Sequence, residues 1–537
     1  MRLPREPRKV PCAGLELSWV RRSAGGVLMS VRRSLVVATL FAGAPLAAQR
    51  PAALPRPLRG LDAYVTAALR VWDVPGLAVA VVKDDSVVLA RGFGVRRMGD
   101  TARVTERTLF AIASCTKAFT AAALAMLVDS GKVAWDDPVS KHLTGFQLSD
   151  PYVTRELTLR DLLTHRSGLA RGDGLWWATP YDRAEILRRV RYLQPSWSFR
   201  SRYGYQNIMF LAAGQIVPAV TGQTWDDFVR RRIFTPLGMT ASNTSVAQLP
   251  PGGDVATPHE HFSGKLRAIA WRNVDNVGPA GSINSNVIEM AQWVRLQLGN
   301  GVYRGQRLVS EAAVKEMRSP QTVIPLDSIT ERLRPSTHFQ AYGLGWSLSD
   351  YRGRKLVSHN GALDGMRSIV MLVPEERVGI VVLSNGGEAG RLLTAAVALR
   401  VVDSYVGVPV GDWSADFLQV YRNGLARDSV DQAKQDSAHV AGTKPSFDLP
   451  RYAGTYRNEM YGDVTVKADS GRLVLGFGPF LVADLAHWHF DTFKATWRDP
   501  EAGSDLVTFA LNADGKIDHL TWPGQGDFAR VAADSTK

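Results

Sequence analysis

The feature that most limits what this chain can fold into is a serine and a lysine, Ser114 and Lys117, at the start of an alanine-rich apolar run. Residues three apart share one face of a helix, with Cβ atoms about 5–6 Å apart. The pattern therefore predicts a helix that begins near Ser114. The lysine can act as a base for the hydroxyl only if burial or a neighbouring cation lowers its pKa from ~10.4. The alternative is a helix cap followed by a solvated lysine, since this spacing is common by chance.

A second candidate pair is Tyr205 and Asn207, which precede the apolar run that starts at Ile208. In an extended segment, residues two apart face the same way, so both side chains are expected to enter one cleft. A phenol can relay a proton, and an amide can both donate to and accept from a bound acyl group. The alternative is a surface turn with a packed aromatic ring.

A third candidate group, His359, Gly361 and Ala362, follows the strand-like run Lys355–Ser358. Gly361 is expected to let a ligand approach a strand edge closely. The backbone N–H of Ala362 would then complete an oxyanion hole with that of Ser114. The alternative is a turn histidine with no part in chemistry.

The three groups occur in the order of the motifs of a known family. Ser114-x-x-Lys117, Tyr205-x-Asn207 and His359-x-Gly361 resemble those of the serine β-lactamase and penicillin-binding-protein superfamily, in its class C-like branch of esterases and D-aminopeptidases. Further stretches typical of this branch are Leu162–Leu169, Pro279–Ser285 and Tyr342–Trp346. The resemblance covers roughly residues 60–405.

The resemblance implies a role for each residue. Ser114 would be the nucleophile that forms an acyl-enzyme, and Lys117 and Tyr205 would share the acceptance of its proton, which leaves the formal base open. Asn207 would orient the acyl side of the substrate. The N–H groups of Ser114 and Ala362 would stabilise the oxyanion, and Tyr205 would activate the water that releases the acid.

One residue departs from the family pattern. True class C β-lactamases usually have a lysine at the position of His359, where it helps to bind the β-lactam carboxylate. Histidine, with a reference pKa of ~6.5, is mostly neutral at pH 7. The departure favours a serine hydrolase acting on small esters or D-amino-acid peptides, with weak β-lactam hydrolysis at most. The alternative is a penicillin-recognising binding or sensor protein that is acylated without efficient turnover.

Other chemistries find little support in the sequence. It contains no G-x-S-x-G elbow, no phosphate-binding G-x-x-x-x-G-K and no H-E-x-x-H helix, and no cofactor is expected. The histidine pairs His259/His261 and His487/His489 lack evident further ligands, so no metal is expected. Cys115, beside the serine, is expected to pack inward as a small hydrophobic residue.

Residues 1–49 have the composition of a targeting segment. A basic stretch at Met29–Arg33 precedes the apolar run Ser34–Ala44 and the small residues of Pro45–Gln49. We predict a signal peptide, a periplasmic or secreted bacterial enzyme, and no stable membrane span after cleavage, since a span needs about 20 apolar residues. Much of the net charge of +13 lies in this segment. The rest shows no arginine stripe, so the expected partner is a small-molecule ester, peptide or β-lactam and not a nucleic acid.

The remaining chain divides by pattern into three parts. Residues 50–408 are predicted to be a β-lactamase-like hydrolase domain, 409–446 a helix-compatible connector and 447–537 a β domain. The fold class is therefore α+β: an antiparallel sheet built from both chain ends, flanked by helices, with a helical subdomain between. Regular short strands after residue 447 predict a small antiparallel barrel or sandwich. We expect this β domain to pack against the hydrolase domain and border the substrate cleft.

Overall fold

The computed structural model describes residues 54–169 and 171–532. The predicted signal peptide and its cleavage site lie outside these residues. Within the described ranges, no helix combines the length and the apolar character that a membrane span requires.

The hydrolase part alternates strands and helices. Its strands are β1 Gly76–Lys83, β2 Ser86–Gly94, β3 Phe110–Ala111, β4 His259–Phe262, β5 Lys265–Ala268, β6 Asn284–Ser285, β7 Val302–Tyr303, β8 Gln306–Arg307, β9 Thr322–Ile324, β10 Gln340–Tyr342, β11 Ser347–Tyr351, β12 Arg354–Leu363, β13 Met366–Val373 and β14 Val378–Ser384. Its helices are α1 Leu61–Val71, α2 Thr116–Asp129, α3 Pro151–Glu156, α4 Leu159–Leu162, α5 Arg183–Arg189, α6 Asn207–Thr221, α7 Trp225–Val229, α8 Thr235–Leu237, α9 Gly278–Gly281, α10 Val287–Leu298, α11 Glu311–Met317, α12 Ser328–Leu333 and α13 Gly387–Val406.

An eight-stranded antiparallel sheet forms the centre of this part, in the order β2-β1-β14-β13-β12-β11-β10-β9. β1 pairs with β14 along its length, Leu77 opposite Ser384, so the sheet is built from both chain ends as predicted. Successive residues of a strand face opposite sides. Ala78 and Ala80 therefore pack against the helical subdomain, whereas Val79 packs against α1 and α13 on the other face.

The helical subdomain is inserted between β2 and β9, and α2 is its central helix. Every residue of α2 from Thr116 to Leu127 is buried. Its many alanines have short side chains, which allows α6 and α9 to pack closely against it. This packing brings residues from distant parts of the sequence to the first turn of α2.

The C-terminal part is a closed antiparallel barrel that follows the long helix α14, Trp413–Ser437. The barrel strands are β15 Gly454–Asn458, β16 Gly462–Asp469, β17 Arg472–Phe477, β18 Leu481–His489, β19 Thr492–Trp497, β20 Ser504–Leu511, β21 Ile517–Trp522 and β22 Gly526–Arg530. Alternate residues such as Leu473 and Leu475 fill its interior. The predicted fold class is confirmed, and of the two β architectures predicted, the barrel is the one found.

Polar contacts join the barrel to the hydrolase part. Tyr181 Oη donates a hydrogen bond to the carbonyl of Tyr461 at 2.7 Å. The Arg272 guanidinium donates to Asp364 at 2.7 Å and to Asp499 of the barrel at 2.5 Å. These contacts place barrel loops beside the segment that follows β12.

Candidate active site

Ser114 lies in a 3₁₀ turn, Ala113–Cys115, that leads directly into α2. Its predicted position at the start of this helix is therefore matched by the structure. Ala113 has a φ of 45°, a region that residues other than glycine rarely occupy. Backbone N–H groups in the first turn of a helix lack intrahelical acceptors, so the Ser114 N–H can bind an anion.

Lys117 is fully buried and lies directly beside the serine. Its Nζ is 3.0 Å from Ser114 Oγ, 2.8 Å from Asn207 Oδ1 and 2.9 Å from the carbonyl oxygen of Ala280. Burial lowers the pKa of Lys117 well below its usual value, although the negative charge of Asp173 opposes this effect. The structure thus supplies the desolvation that a lysine base requires.

Tyr205 reaches the same serine from the loop before α6. Its hydroxyl donates to Ser114 Oγ at 2.8 Å. Burial raises the pKa of Tyr205, and the hydrogen bond to Ser114 opposes this effect only in part. The phenol is therefore protonated at neutral pH.

The local conformation around Asn207 differs from the extended segment that the sequence predicted. The Gln206 side chain caps α6, and Asn207 is the first residue of that helix. The Asn207 amide accepts from Lys117 through Oδ1 and donates to Asp173 Oδ1 through Nδ2 at 3.0 Å. Both polar atoms are thus engaged with the protein, which positions the lysine; the substrate-binding role of Asn207 stays a prediction.

His359 lies within β12 and not in a turn, and its ring is buried. Nδ1 is 2.6 Å from the carbonyl oxygen of Asn360, and Nε2 is 2.8 Å from Tyr342 Oη. Nδ1 therefore donates to the carbonyl, and Nε2 accepts from the tyrosine. Burial, reinforced by the charge of Lys117, lowers the pKa of His359 to about 3, so the imidazole is neutral. Its predicted contact with substrate stays a prediction, and its geometry favours support of β12.

The glycine of this motif serves a different purpose from the one predicted. A Cβ on Gly361 would lie 2.2 Å from the carbonyl oxygen of Ile112 and 2.2 Å from Ser368 Oγ. The close approach is thus made by the protein's own backbone and not by a ligand. It brings β12 against the turn that holds Ser114, and β12 pairs with β11 only as far as Ser358. The segment with Asn360 and Ala362, both exposed, therefore borders the cleft.

The cleft above Ser114 has a volume of about 300 Å³. Its lining residues are Ala113, Ser114, Arg171, Trp176, Tyr203, Tyr205, Asn207, Val274, Val277, Ala280, Gly281, Asn360, Ala362 and Leu363. The cleft thus contains three of the predicted catalytic and binding side chains and the backbone of Ala362. Lys117 and His359 are buried and are not among the lining residues.

Several residues of the site were not singled out by sequence reasoning. Asp173 accepts from Asn207 and from Trp176 Nε1 at 2.8 Å, and it forms an ion pair with Arg171. His165 accepts from the Gln206 N–H at 3.0 Å, and its pKa lies well below the usual range because of burial. His165 and Tyr342 belong to stretches typical of the family, but Asp173 and Arg171 lie in a loop without a recognisable motif.

The barrel borders this loop. A Cβ on Gly174 would lie 2.6 Å from Gln525 Oε1 and 2.9 Å from a ring carbon of Tyr461. Gly174 follows Asp173 directly, so barrel side chains pack against the polypeptide that supports the site.

The remaining candidate residues from the sequence analysis make contacts that fit a structural role. Cys115 is buried, with its Sγ 3.2 Å from the carbonyl oxygen of His359 and 3.2 Å from Ser368 Oγ. Nε2 of His259 accepts from the Met98 N–H at 3.0 Å. Between residues 54 and 532, Ala170 aside, no cluster of three or more His, Cys, Asp or Glu side chains is arranged to hold a metal ion.

The family model for beta-lactamases matches residues 61–402. The chain belongs to the beta-lactamase family. As predicted, it is an enzyme of the beta-lactamase-related serine hydrolases. A second model, a domain of unknown function (DUF3471), matches residues 438–535 of this beta-lactamase-family protein.

Named relatives cover this hydrolase to different extents. It is 29% identical to the unguisins hydrolase ungD' of Aspergillus campestris over 422 residues, 75% of this chain and 76% of the relative. It is 31% identical to penicillin-binding protein 4 of Amycolatopsis lactamdurans over 342 residues, 60% of this chain and 83% of the relative.

Solved structures share the fold of this hydrolase. The octameric penicillin-binding protein homologue from Pyrococcus abyssi superposes with a TM-score of 0.58 at 22% identity, covering 87% of this chain and 99% of that one. The D-amino acid amidase from Ochrobactrum anthropi SV3 gives a TM-score of 0.53 at 22% identity, covering 65% and 97%.

Proposed function

We propose that this enzyme hydrolyses ester or amide bonds through an acyl-enzyme on Ser114. The observation that supports the proposal most strongly is the hydrogen bond of 3.0 Å between Ser114 Oγ and the buried Lys117 Nζ. A serine hydroxyl is a weak nucleophile until a nearby base accepts its proton. Burial lowers the lysine pKa and so makes the neutral amine available.

Lys117 is the base that the geometry favours. A neutral amine has two N–H donors and one lone pair. Two of its three neighbours, Asn207 Oδ1 and the Ala280 carbonyl, only accept hydrogen bonds. The lone pair therefore faces Ser114. When the serine attacks, its proton moves to Nζ, and the resulting ammonium retains both carbonyl acceptors.

Tyr205 then acts as the acid. Its raised pKa keeps the phenol protonated, which disfavours a tyrosinate base. As the tetrahedral intermediate collapses, the phenol gives its proton to the leaving amine or alcohol. The Lys117 ammonium returns a proton to the phenolate, since both groups are hydrogen-bonded to the same Ser114 Oγ. For deacylation, water takes the place of the leaving group and the proton transfers run in reverse. Lys117 takes the phenol proton, the transient phenolate accepts a proton from the attacking water, and Lys117 returns a proton to Ser114 Oγ as the acyl group leaves.

The oxyanion would be stabilised by the backbone N–H groups of Ser114 and Ala362. The first belongs to a helix N-terminus and the second to the exposed end of β12. Removal of one such donor typically reduces kcat by about 10²–10³. The close approach at Gly361 sets the separation of these two groups.

The proposed substrates are small esters and amides or peptides of D-amino acids, with weak β-lactam hydrolysis at most. The neutral, buried His359 provides no cation for a β-lactam carboxylate. The names of the relatives, an unguisins hydrolase and a D-amino acid amidase, support amide or ester cleavage. Export to the periplasm or medium is proposed from the sequence of residues 1–49 alone.

The test is covalent labelling of the purified protein with a fluorophosphonate probe, followed by turnover of p-nitrophenyl esters, D-amino-acid p-nitroanilides and nitrocefin. We expect labelling and turnover to be lost in Ser114→Ala and retained in Ser201→Ala, an exposed serine outside the cleft. Labelling that persists in Ser114→Ala would refute the proposal. A single stoichiometric burst without turnover would instead support the penicillin-recognising sensor.

A further inference from the structure

A cavity apart from the cleft above Ser114 lies on the opposite face of the sheet. It is bounded by β9 to β13 on one side and by α12, α13 and α14 on the other, and its volume is about 270 Å³. Its wall is mostly apolar and includes Leu333, Leu356, Ile369, Met371, Leu399 and Phe417. An apolar cavity of ~150 Å³ already binds a molecule the size of benzene. This cavity therefore has room for an aliphatic chain.

Arg334 is the one residue with a formal charge among the described residues that line this cavity. It follows the last residue of α12, and its Nη2 donates to Thr330 Oγ1 at 3.1 Å. No other described residue accepts a hydrogen bond from the guanidinium, and no described carboxylate forms an ion pair with it. Burial lowers the pKa of Arg334, and the charge of Asp327 opposes this effect only in part. The cavity thus contains a partly desolvated cation, most of whose N–H donors are unused.

A hydroxyl group in the wall of the cavity also lacks a partner. Ser349 of β11 is 7% exposed and lines the cavity, and its Oγ forms no hydrogen bond with the described residues. Ser349 lies opposite Leu356 of β12, and directly opposed residues of antiparallel strands face the same side. Since Leu356 belongs to the core on this face of the sheet, the Ser349 side chain points into the cavity. Ligand sites typically combine an apolar wall with a few polar groups of this kind.

We propose that this cavity binds an anionic amphiphile, a medium-chain carboxylate whose head group is held by Arg334 and whose aliphatic chain packs between the sheet and α13. Two parallel N–H donors of a guanidinium match the two oxygens of a carboxylate. Asn360 lines both this cavity and the cleft above Ser114, so the bound chain lies behind the strand that carries Ala362. The site does not depend on the proposed acyl-enzyme, because neither Ser114 nor Lys117 lines it.

Isothermal titration calorimetry of the full-length protein with sodium octanoate, below its micelle-forming concentration, tests the proposal. We expect one equivalent to bind, and hexanoate to bind about 10-fold more weakly, because two fewer methylenes are buried. Arg334→Gln should weaken octanoate binding about 10- to 100-fold. Octanol has the chain without the charge and should bind the wild type and Arg334→Gln equally. Ala395→Phe places a ring in the cavity from α13 and should abolish the binding of both compounds.

Arg332→Gln is the matched control, because Arg332 also lies on α12 but is exposed and does not line the cavity. Arg171→Gln removes the charged side chain that lines the cleft above Ser114. Both variants should bind octanoate as the wild type does. Circular dichroism and thermal unfolding of each variant check the fold.

Three results would overturn the inference: no saturable binding to the wild type, equal octanoate affinity in Arg334→Gln and the wild type, or a loss of binding in Arg171→Gln. The last result would place the carboxylate in the cleft. Fluorophosphonate labelling of Ser114 tests the proposed function separately, and we expect Arg334→Gln to be labelled as the wild type is.

Discussion

Nζ of Lys117 lies 2.8 Å from Oδ1 of Asn207, and the same amide donates to Asp173 at 3.0 Å. The lysine is therefore held by an uncharged acceptor, and Asn207 links it to the Asp173 carboxylate. A direct ion pair with Asp173 would favour the charged lysine and raise its pKa. The intervening amide allows a buried lysine to remain a base.

The first prediction concerns the pH dependence of catalysis. Only neutral Lys117 accepts a proton, so kcat/KM should rise with pH through the depressed lysine pKa and reach a plateau far below pH 10.5. Asn207→Asp places a carboxylate beside Nζ and should shift this rise to higher pH. The measurement is a pH profile of ester hydrolysis for both enzymes. Profiles with the same apparent pKa would contradict the proposed role of the amide.

The second prediction separates the acid role of Tyr205 from a base role. Tyr205→Phe removes the hydroxyl that donates to Ser114, and general acid catalysis typically contributes about 10²–10⁴-fold. The loss should be larger for an amide, whose leaving amine must be protonated, than for a p-nitrophenyl ester, whose leaving phenolate need not be. The kcat values of both substrates measure the difference. Equal losses would indicate that Tyr205 acts on the nucleophile.

The third prediction concerns Gly361. An alanine there would collide with the Ile112 carbonyl and with Ser368, so β12 must move away from the Ser114 turn. We expect Gly361→Ala to lower kcat by at least 10-fold and the free energy of unfolding by about 1–3 kcal/mol. Gly411→Ala is the control, because nothing lies within 4 Å of its Cβ position. Urea unfolding and steady-state kinetics test both variants, and wild-type kcat in Gly361→Ala would exclude the close approach.

The fourth prediction concerns stability in acid. His359 has a folded-state pKa of about 3, whereas an unfolded histidine titrates near 6.5. Below pH 6.5 the unfolded chain binds the proton and the folded chain does not, so stability is lost progressively between pH 6.5 and about 3. The loss is ~1.4 kcal/mol per pH unit for this group. Urea unfolding at several pH values should show a shallower slope for His359→Gln, and the wild-type slope for the exposed His439→Gln.

The fifth prediction concerns the barrel. A chain truncated after residue 439 loses Gln525 and Tyr461, which pack against Gly174 beside Asp173. We expect the hydrolase part to remain folded, since all eight strands of its sheet and α13 precede residue 439, but kcat/KM to fall about 10-fold as the supporting loop loosens. Fluorophosphonate labelling with kinetics tests this outcome. Full activity and unchanged specificity in the truncated chain would show that the barrel has no part in the cleft.

The sequence predicts those parts of the site whose local conformation is set by residues that are close together along the chain. The position of Ser114 and Lys117 follows from helical spacing, and the β1–β2 hairpin follows from its apolar runs and turn. Tyr205 and Asn207 line one cleft, and Gln206 between them is extended. The sequence did not show that the Gln206 side chain caps a helix whose first residue is Asn207.

Patterns along the sequence did not predict the contacts between distant segments. Gly361 was predicted to face a ligand, but only the folded chain shows that Ile112 occupies that place. Arg171 and Asp173 lie in a loop whose position depends on the packing of the helical subdomain and the barrel. The end of the barrel strand β18, at His487 and His489, is equally hard to predict. A bulge there interrupts the alternation of inward and outward residues by which a strand is recognised in the sequence.

The pairing of β1 with β14 joins segments about 300 residues apart. During synthesis, the ribosome must release residues up to Ser384 before the edge of β1 can find its neighbour. β12 and β13 are made only shortly before β14, so for most of synthesis the nascent polypeptide has the Ser114 hydroxyl without the strand that would complete its anion pocket. Hydrolytic activity should therefore appear late in biogenesis, after almost three quarters of the protein has been made.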